Sequence, residues 1–324
     1  QALIPRLGNQ RIIVLGDVIL DEYLIGKATR MSREAPVPVL EFEQRRLIPG
    51  GAANPAANIA ALGSTALLVS VCGADAEGET LQAVLRERGI ETGTLRVEEG
   101  RPTTVKTRIM AHMGLRFPQQ VARLDKVTRE PISPLLERAI THLLAQHTAD
   151  ALLLSDYHVG LLTPTLIAAA RDYASQQNIP LTADAQGDLD KYAEFGVVKC
   201  NAEEAAAYLR RELMSDDDFS SAARDLCDAL RLTNGMVITR GANGASVATA
   251  DGKSHHCPSP SITDVYDTVG AGDTSIAVIT LALAAGASLV DAATLANYAS
   301  GLVVRRVGNY APTQDELSQA VGER

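Results

Sequence analysis

Asp267-Thr268-Val269-Gly270-Ala271-Gly272-Asp273-Thr274 runs almost directly into the apolar stretch Ile276–Ala285. Three small residues ahead of a helix let the backbone come close to a ligand. The free N–H groups of the first turn and the positive end of the helix dipole then face that ligand. Gly270, Ala271 and Gly272 so arranged form an anion hole. Asp273 falls in the first turn. A carboxylate there is either a cap for the helix or, beside a bound anion, a base for a hydroxyl attacking that anion. The loop by itself leaves both readings open.

A second small-residue turn, Gly50-Gly51-Ala52-Ala53-Asn54, opens a helix near the other end of the chain, and Gly16-Asp17 ends the first strand with Asp21 four residues on. In open α/β sheets ligands bind at the carboxyl edge of the strands, so Asp17 is expected to face a site. Carboxylate and amide side chains suit a polyhydroxylated ligand, since each takes several hydrogen bonds. Asp17, Asp21, Gly50, Gly51 and Asn54 are therefore candidate substrate contacts. For Asp17 and Asp21 the alternative is turn and cap duty.

Around these turns, strand and helix patterns alternate along most of the chain, which predicts an α/β fold with a mostly parallel sheet covered on both faces. Strands are expected at Arg11–Leu15, Leu67–Val71, Ala151–Leu154, Pro180–Ala183, Gly196–Lys199, Met236–Thr239 and Ala245–Ala248. Helices are expected at Pro55–Leu62, Gly78–Arg88, Pro164–Gln177, Ala202–Arg211, Asp273–Ala285 and Leu289 to about Arg305, with Gly63 and Gly89 as stops. Val37–Phe42, Thr103–Met110 and Val121–Leu124 are strand-like but not followed by crossover helices. Parallel pairing needs a long crossover, so these segments are assigned to a small antiparallel lid. Residues 1–324 are expected to form one domain, with lid strands inserted at about 18–48 and 100–126.

Composition narrows the function classes. The net charge of −9, from 30 basic and 39 acidic residues, argues against a nucleic-acid binder, which would present a basic face. No apolar run is long enough to span a bilayer, so no membrane role is expected. The four cysteines, Cys72, Cys200, Cys227 and Cys257, include no C-x-x-C pair, which disfavours a zinc site or disulfide framework and fits a reducing cytoplasm. In His255-His256-Cys257, adjacent strand residues point to opposite faces, so the trio is not expected to bind metal. There is no G-x-x-x-x-G-K-[ST], no G-x-G-x-x-G after the first strand and no G-x-S-x-G, which removes P-loop enzymes, dinucleotide binders and α/β-hydrolases.

Taken in order, Gly50–Asn54, Asn201-x-x-Glu204, Thr239-Arg240-Gly241-Ala242-Asn243-Gly244 and Asp267–Asp273 resemble the ribokinase-like (phosphofructokinase-B) family of carbohydrate kinases from about Arg11 to Leu317. The resemblance implies a three-layer α/β/α fold, an ATP and Mg²⁺ requirement, and a sugar or sugar-phosphate substrate. It implies that Asp273 is the base and that Asn201 and Glu204 organise phosphates and Mg²⁺ through water. Thr239, Gly241, Gly244 and Asn297 would border the nucleotide, and Arg305–Gly308 is similar to the monovalent-cation (K⁺) loop of some members. The lid would cover the sugar; in several members it also makes a homodimer.

A finer resemblance is to the heptose-7-phosphate kinases, through Gly16–Tyr23, Arg30–Val39, Pro102–Arg108, Arg123-Leu124-Asp125 and Leu154–Tyr157. It implies that Lys106, Arg108 or Arg123 holds the substrate's phosphate. Two departures matter: Asp184-Ala185-Gln186-Gly187 stands where that subfamily has D-P-K-G, and Lys199-Cys200-Asn201 where it has T-P-N. The subfamily's nucleotidyltransferase domain does not follow, so a stand-alone kinase is expected. The rival readings are a kinase of another sugar or a nucleoside (ribokinase or fructose 1-phosphate kinase type), and a nucleotide- or sugar-binding protein without catalysis.

Overall fold

The structure, a computed structural model, describes residues 2–114, 118–261, 265, 267–306 and 308–322. In chain order the elements are β1 (Arg11–Gly16), β2 (Val18–Met31), β3 (Pro38–Gly51), α1 (Ala53–Ala61), β4 (Thr65–Gly73), α2 (Ala76–Glu87), β5 (Leu95–Glu98), β6 (Val105–His112) and β7 (Gln119–Lys126). Then follow α3 (Pro134–Gln146), β8 (Ala151–Ser155), α4 (Pro164–Gln177), β9 (Leu181–Asp184), β10 (Val197–Asn201), α5 (Ala202–Leu209) and α6 (Asp216–Ala229). The chain continues through β11 (Gly235–Thr239), β12 (Ala245–Thr249), β13 (Ser254–Cys257), α7 (Ala271–Ala284), α8 (Leu289–Val303) and α9 (Gln314–Gly322).

Nine strands form one sheet in the order β13-β12-β11-β10-β9-β8-β1-β4-β5, parallel from β11 to β5 and antiparallel at β12 and β13. Its strands carry apolar side chains on both faces, as a sheet covered on both sides requires. Ile12, Val14, Leu153, Val197 and Val237 pack with α1, α7 and α8 on one face. Their neighbours Ile13, Leu15, Leu152, Leu154, Val198 and Met236 pack with α3, α4 and α6 on the other. The period of two in strand side chains thus produces the three expected layers. Helices α3, α6 and α9 and strands β5 and β13 add to the expected elements. Helix α6 opens on a Ser215–Asp218 capping box and buries Phe219, Ala222, Ala223, Leu226 and Cys227, a spacing that fits one helical face.

A four-stranded sheet in the order β3-β2-β6-β7 forms the lid. Its outer pairs are antiparallel, and its central pair, β2 with β6, is parallel. The crossover that a parallel pair needs is the passage of the chain through β3, α1, β4, α2 and β5 between them. β2 and β3 are also longer than expected, because each runs from the lid into the main body. Among the described residues no helix is long and apolar enough to cross a membrane.

The junction of β3 and α1 fixes where the lid meets the main sheet. Gly51 has φ +61°, and a Cβ there would lie 2.2 Å from the Asp17 carbonyl oxygen. Ala52 N–H donates to that same carbonyl at 2.8 Å. Left-handed backbone plus a backbone clash makes Gly51→Ala costly, by about 2–4 kcal/mol; a urea midpoint lowered to match, with unchanged slope, is the expected result.

Candidate active site

Two helix starts converge at the carboxyl edge of the large sheet. Gly270, at φ +82°, supplies the left-handed turn that aims the start of α7, and a Cβ on it would lie 2.9 Å from Asn54 Nδ2 of α1. Asn54 Nδ2 donates to Asp273 Oδ2 at 2.7 Å, Asn58 Nδ2 donates to the Asn54 carbonyl at 2.9 Å, and Thr274 Oγ1 donates to Asn58 Oδ1 at 2.8 Å. These contacts tie the two helices together. Asp273 therefore does not use its side chain to cap its own helix; it points across at α1.

The other Asp273 oxygen accepts from the Tyr157 hydroxyl at 2.7 Å. Burial, and then the nearby Asp184 carboxylate, push the Asp273 pKa up to about 6, while Tyr157, Asn54 and Lys199 work in the opposite direction. A base poised close to neutrality can take a proton near pH 7 and later release it. Tyr157 was not singled out as a site residue from the sequence, where only its place just past a strand's carboxyl end could have marked it. The structure also gives a different duty to Asp17. That side chain is 2% exposed, and its carboxylate accepts from the N–H groups of Tyr157 at 2.9 Å, Val159 at 3.4 Å and Leu161 at 3.2 Å. Asp17 is thus turned into the loop that carries Tyr157 and not toward a ligand, because buried N–H groups there need an acceptor.

Asp21 is buried in an ion pair at the inner end of β2. Its Oδ1 is 2.5 Å from Arg108 Nη1, and a Cβ on Gly50 would lie 2.1 Å from its Oδ2, so Gly50 is small to make room for it. Asp21 and Lys106 are cross-strand partners, as are Lys106 and Asp125, and Arg108 and Arg123. Residues two apart on a strand share a face, so Asp21, Lys106, Arg108 and Arg123 all lie on one face of the lid. Lys106 lies over the Tyr157 ring at 5.0 Å from its centroid, which brings that face against the Tyr157–Asp273 pair. Burial draws the Lys106 pKa down, against Asp21 and Asp125. Arg123 is half-exposed and pairs with Asp125 at 3.0 Å.

On the other side of Gly272 lies a cavity of about 600 Å³, walled by Thr239, Gly241, Gly244, Asn297, Ala271, Gly272, Ser275 and Val265 among others. All four residues expected to border a nucleotide line it together. Gly244, at φ +78°, lets the β11–β12 turn pass close to Cys257 and Ser259, and Asn297 Nδ2 donates to the Cys257 carbonyl at 2.8 Å. Asn201 and Glu204 form a capping box on α5: Glu204 N–H donates to Asn201 Oδ1 at 2.9 Å and Asn201 N–H donates to Glu204 Oε2 at 2.7 Å. Glu204 is half-buried, and desolvation raises its pKa despite that bond and the Lys199 ammonium.

Lys199 Nζ lies 2.5 Å from Asp184 Oδ1, with both side chains nearly covered. Burial works against the Lys199 charge, but Asp184, Asp273 and Glu204 together outweigh it and hold the pKa up. Of the Arg305–Gly308 segment, Val307 lies outside the described residues; Gly308 N–H donates to Asp267 Oδ2 at 2.9 Å.

The Tyr157 bond stabilises the charged form of Asp273, so its loss should raise the Asp273 pKa further. A hydrogen bond to a charged group is worth about 1.5–3 kcal/mol, so Tyr157→Phe should move the Asp273 carboxyl titration, followed by ¹³C NMR, about one pH unit upward. No movement would remove Tyr157 from the control of that carboxyl.

Residues 9–316 match the sequence profile of the pfkB family carbohydrate kinases. Curated relatives include the bifunctional protein HldE of Hyphomonas neptunium, 36% identical over 322 residues, and that of Trichlorobacter lovleyi, 36% identical over 324. These alignments cover 98% and 99% of this chain, which spans only 65% of the length of each relative. Among solved structures, the fold is similar to Arabidopsis thaliana ribokinase complexed with ribose and ATP, with a TM-score of 0.76 and 17% identity over 98% of this chain and 100% of that one. It is also similar to phosphofructokinase-2 of Escherichia coli in complex with potassium, with a TM-score of 0.78 and 22% identity over 97% of this chain and 98% of that one. With the paired helix starts, the lid and the walled cavity all in place, the chain belongs to the pfkB family of carbohydrate kinases.

Proposed function

We propose that this chain transfers the γ-phosphoryl group of ATP to a hydroxyl of a phosphorylated sugar, with heptose 7-phosphate, phosphorylated at its 1-hydroxyl, as the first choice. The observation that carries this is the position of Asp273. It follows directly on Gly272 of the cavity wall and reaches across to Asn54 beneath the lid. ATP seated in the cavity would direct its terminal phosphoryl at the Gly270–Gly272 amides. The sugar would lie under the lid, with Asp21 on its hydroxyls and Lys106, Arg108 and Arg123 toward its phosphate.

In this reading the Asp273 carboxylate takes the proton of the attacking hydroxyl, while the amides and the α7 dipole stabilise charge on the group in transfer. The lid excludes water, which limits hydrolysis of ATP. Asn201 and Glu204 suit Mg²⁺: they are oxygen donors, and one Glu204 oxygen has no protein partner among the described residues. Mg²⁺ is commonly held by one or two carboxylates together with substrate phosphates. When bound, Mg²⁺ would neutralise charge on the nucleotide's phosphate oxygens. A monovalent cation such as K⁺ would sit against the segment around Gly308. Phe42 and Leu124 leave 71% and 69% of their surface exposed on the lid, the apolar area that a homodimer formed through the lid would cover. A cytoplasmic location goes with this metabolic reading.

The heptose substrate is supported by the motifs at 16–39 and 102–125 and by the likeness to HldE. A different sugar phosphate is the second reading, favoured by Gln186 in place of a lysine. Coupled ADP release against a panel of sugars and sugar phosphates separates the two. On the substrate that is turned over, Asp273→Asn should lower kcat by about 10²–10⁴-fold and leave ATP affinity nearly unchanged. Near-normal turnover in that variant would mean that Asp273 is not the base.

A further inference from the structure

Strand β10 is covered on both faces, and such strands read as continuous apolar runs. Val197, Val198 and Cys200 obey that rule and Lys199 does not, although it is only 4% exposed. Val197 packs on the α7 face of the sheet, and Lys199, two residues on, points the same way at the carboxyl edge. Its partner Asp184 is directly opposite it on β9. A buried ion pair of this kind adds little stability, since apolar residues of similar volume in its place are often neutral or better. Stability therefore gives no reason for a lysine here.

Its surroundings give one. A Cβ on Gly272 would lie 3.5 Å from Lys199 Nζ, so the ammonium stands immediately behind the last glycine of the anion turn. Gly272 also walls the 600 Å³ cavity, and the next residue is the base. The carboxylates of Asp184, Asp273 and Glu204 all act on this ammonium. A nucleoside triphosphate would add several negative charges to a corner that already holds three acids and this one lysine.

We propose that Lys199 is a catalytic residue held in place by Asp184, its ammonium contacting the non-bridging oxygens of the phosphoryl group as it moves. The proposal rests on the kinase reading above. In the step, the bond from the γ-phosphorus to the β–γ bridging oxygen breaks, and its electron pair leaves on the nucleoside diphosphate. The sugar oxygen bonds to phosphorus, and its proton passes to Asp273. Lys199 keeps its proton throughout and acts by charge and hydrogen bonding. The assignment also gives a use to the departure at 184–187: where Gln186 is neutral, the neighbouring strand supplies a cation.

The test removes both charges together, so that no orphaned carboxylate unfolds the protein. Lys199→Met combined with Asp184→Leu roughly preserves the buried volume, and a melting temperature near that of the unaltered protein checks the fold. Calorimetric titration with ADP and with β,γ-imido-ATP should show ADP affinity within about twofold and imido-ATP affinity down by about tenfold or more, since a charged hydrogen bond to the terminal group is lost. On a substrate the unaltered protein turns over, kcat should fall by about 10²–10³-fold, and Lys199→Arg with Asp184 kept should retain part of the rate. An unchanged ratio of the two affinities overturns the proposal, as does a kcat in the double variant within about threefold of normal. The nucleotide comparison needs no sugar. A silent substrate panel would count against the heptose reading, and an unchanged affinity ratio against the role of Lys199.

Discussion

Asp273 is a carboxylate enclosed by protein, and keeping it both buried and usable constrains much of what surrounds it. A buried carboxylate without partners would hold its proton and be useless as a base. Two donors from separate parts of the chain prevent that. Asn54 comes from the first turn of α1, and Tyr157 from the loop after β8. Each donor has its own support: Asn58 and Thr274 lock α1 to α7, and Asp17 gathers the N–H groups of the Tyr157 loop. The glycines at 51 and 270 are small or left-handed because these side chains and the crossing backbone occupy the space beside them. Packing, backbone conformation and proton affinity are thus set by one requirement.

The lid covers the Tyr157–Asp273 pair from the other side. A free flap of two hairpins would be only marginally stable. Here the two hairpins are joined by parallel pairing of β2 with β6, and β2 and β3 run on into the main body. The β2–β3 hairpin of the lid therefore begins at Val18, next to Asp17, and ends at Gly51, next to the start of α1. The same face that carries Asp21, Lys106 and Arg108 comes down on Tyr157 through Lys106. The lid face and the Asp273 carboxylate thus share a framework of short connections.

Much of this was legible in the sequence. The two glycine-rich turns, the alternation of strands and helices, and the lid segments could be read because each is local: turn residues, a period of two, a period of three to four. The four cavity residues Thr239, Gly241, Gly244 and Asn297 were reached only by resemblance, since a hairpin turn and a helix asparagine carry no local sign of a nucleotide. Asp17 was misjudged because a carboxylate at a strand's carboxyl end looks the same whether it faces a ligand or a loop; only the N–H groups of residues 157–161 decide that. Tyr157 escaped, and Asp184 and Lys199 stood out only as departures from the heptose-kinase motifs, because their meaning lies in what they touch.

By itself, then, the sequence determined the layers of the fold, the direction of the sheet, the small-residue turn at 270–272 that opens a helix and the carboxylate beside it. Those follow from hydrophobic period and from the chemistry of glycine and helix starts, which act over a few residues. The tertiary structure decided which groups hold that carboxylate, which acid accepts from the Tyr157 loop, how the lid strands pair and which lysine stands behind Gly272. Residues 54, 157, 199 and 273 come from four separate elements. Their chemistry depends on contact and on exclusion of water, and neither exists until the chain has folded.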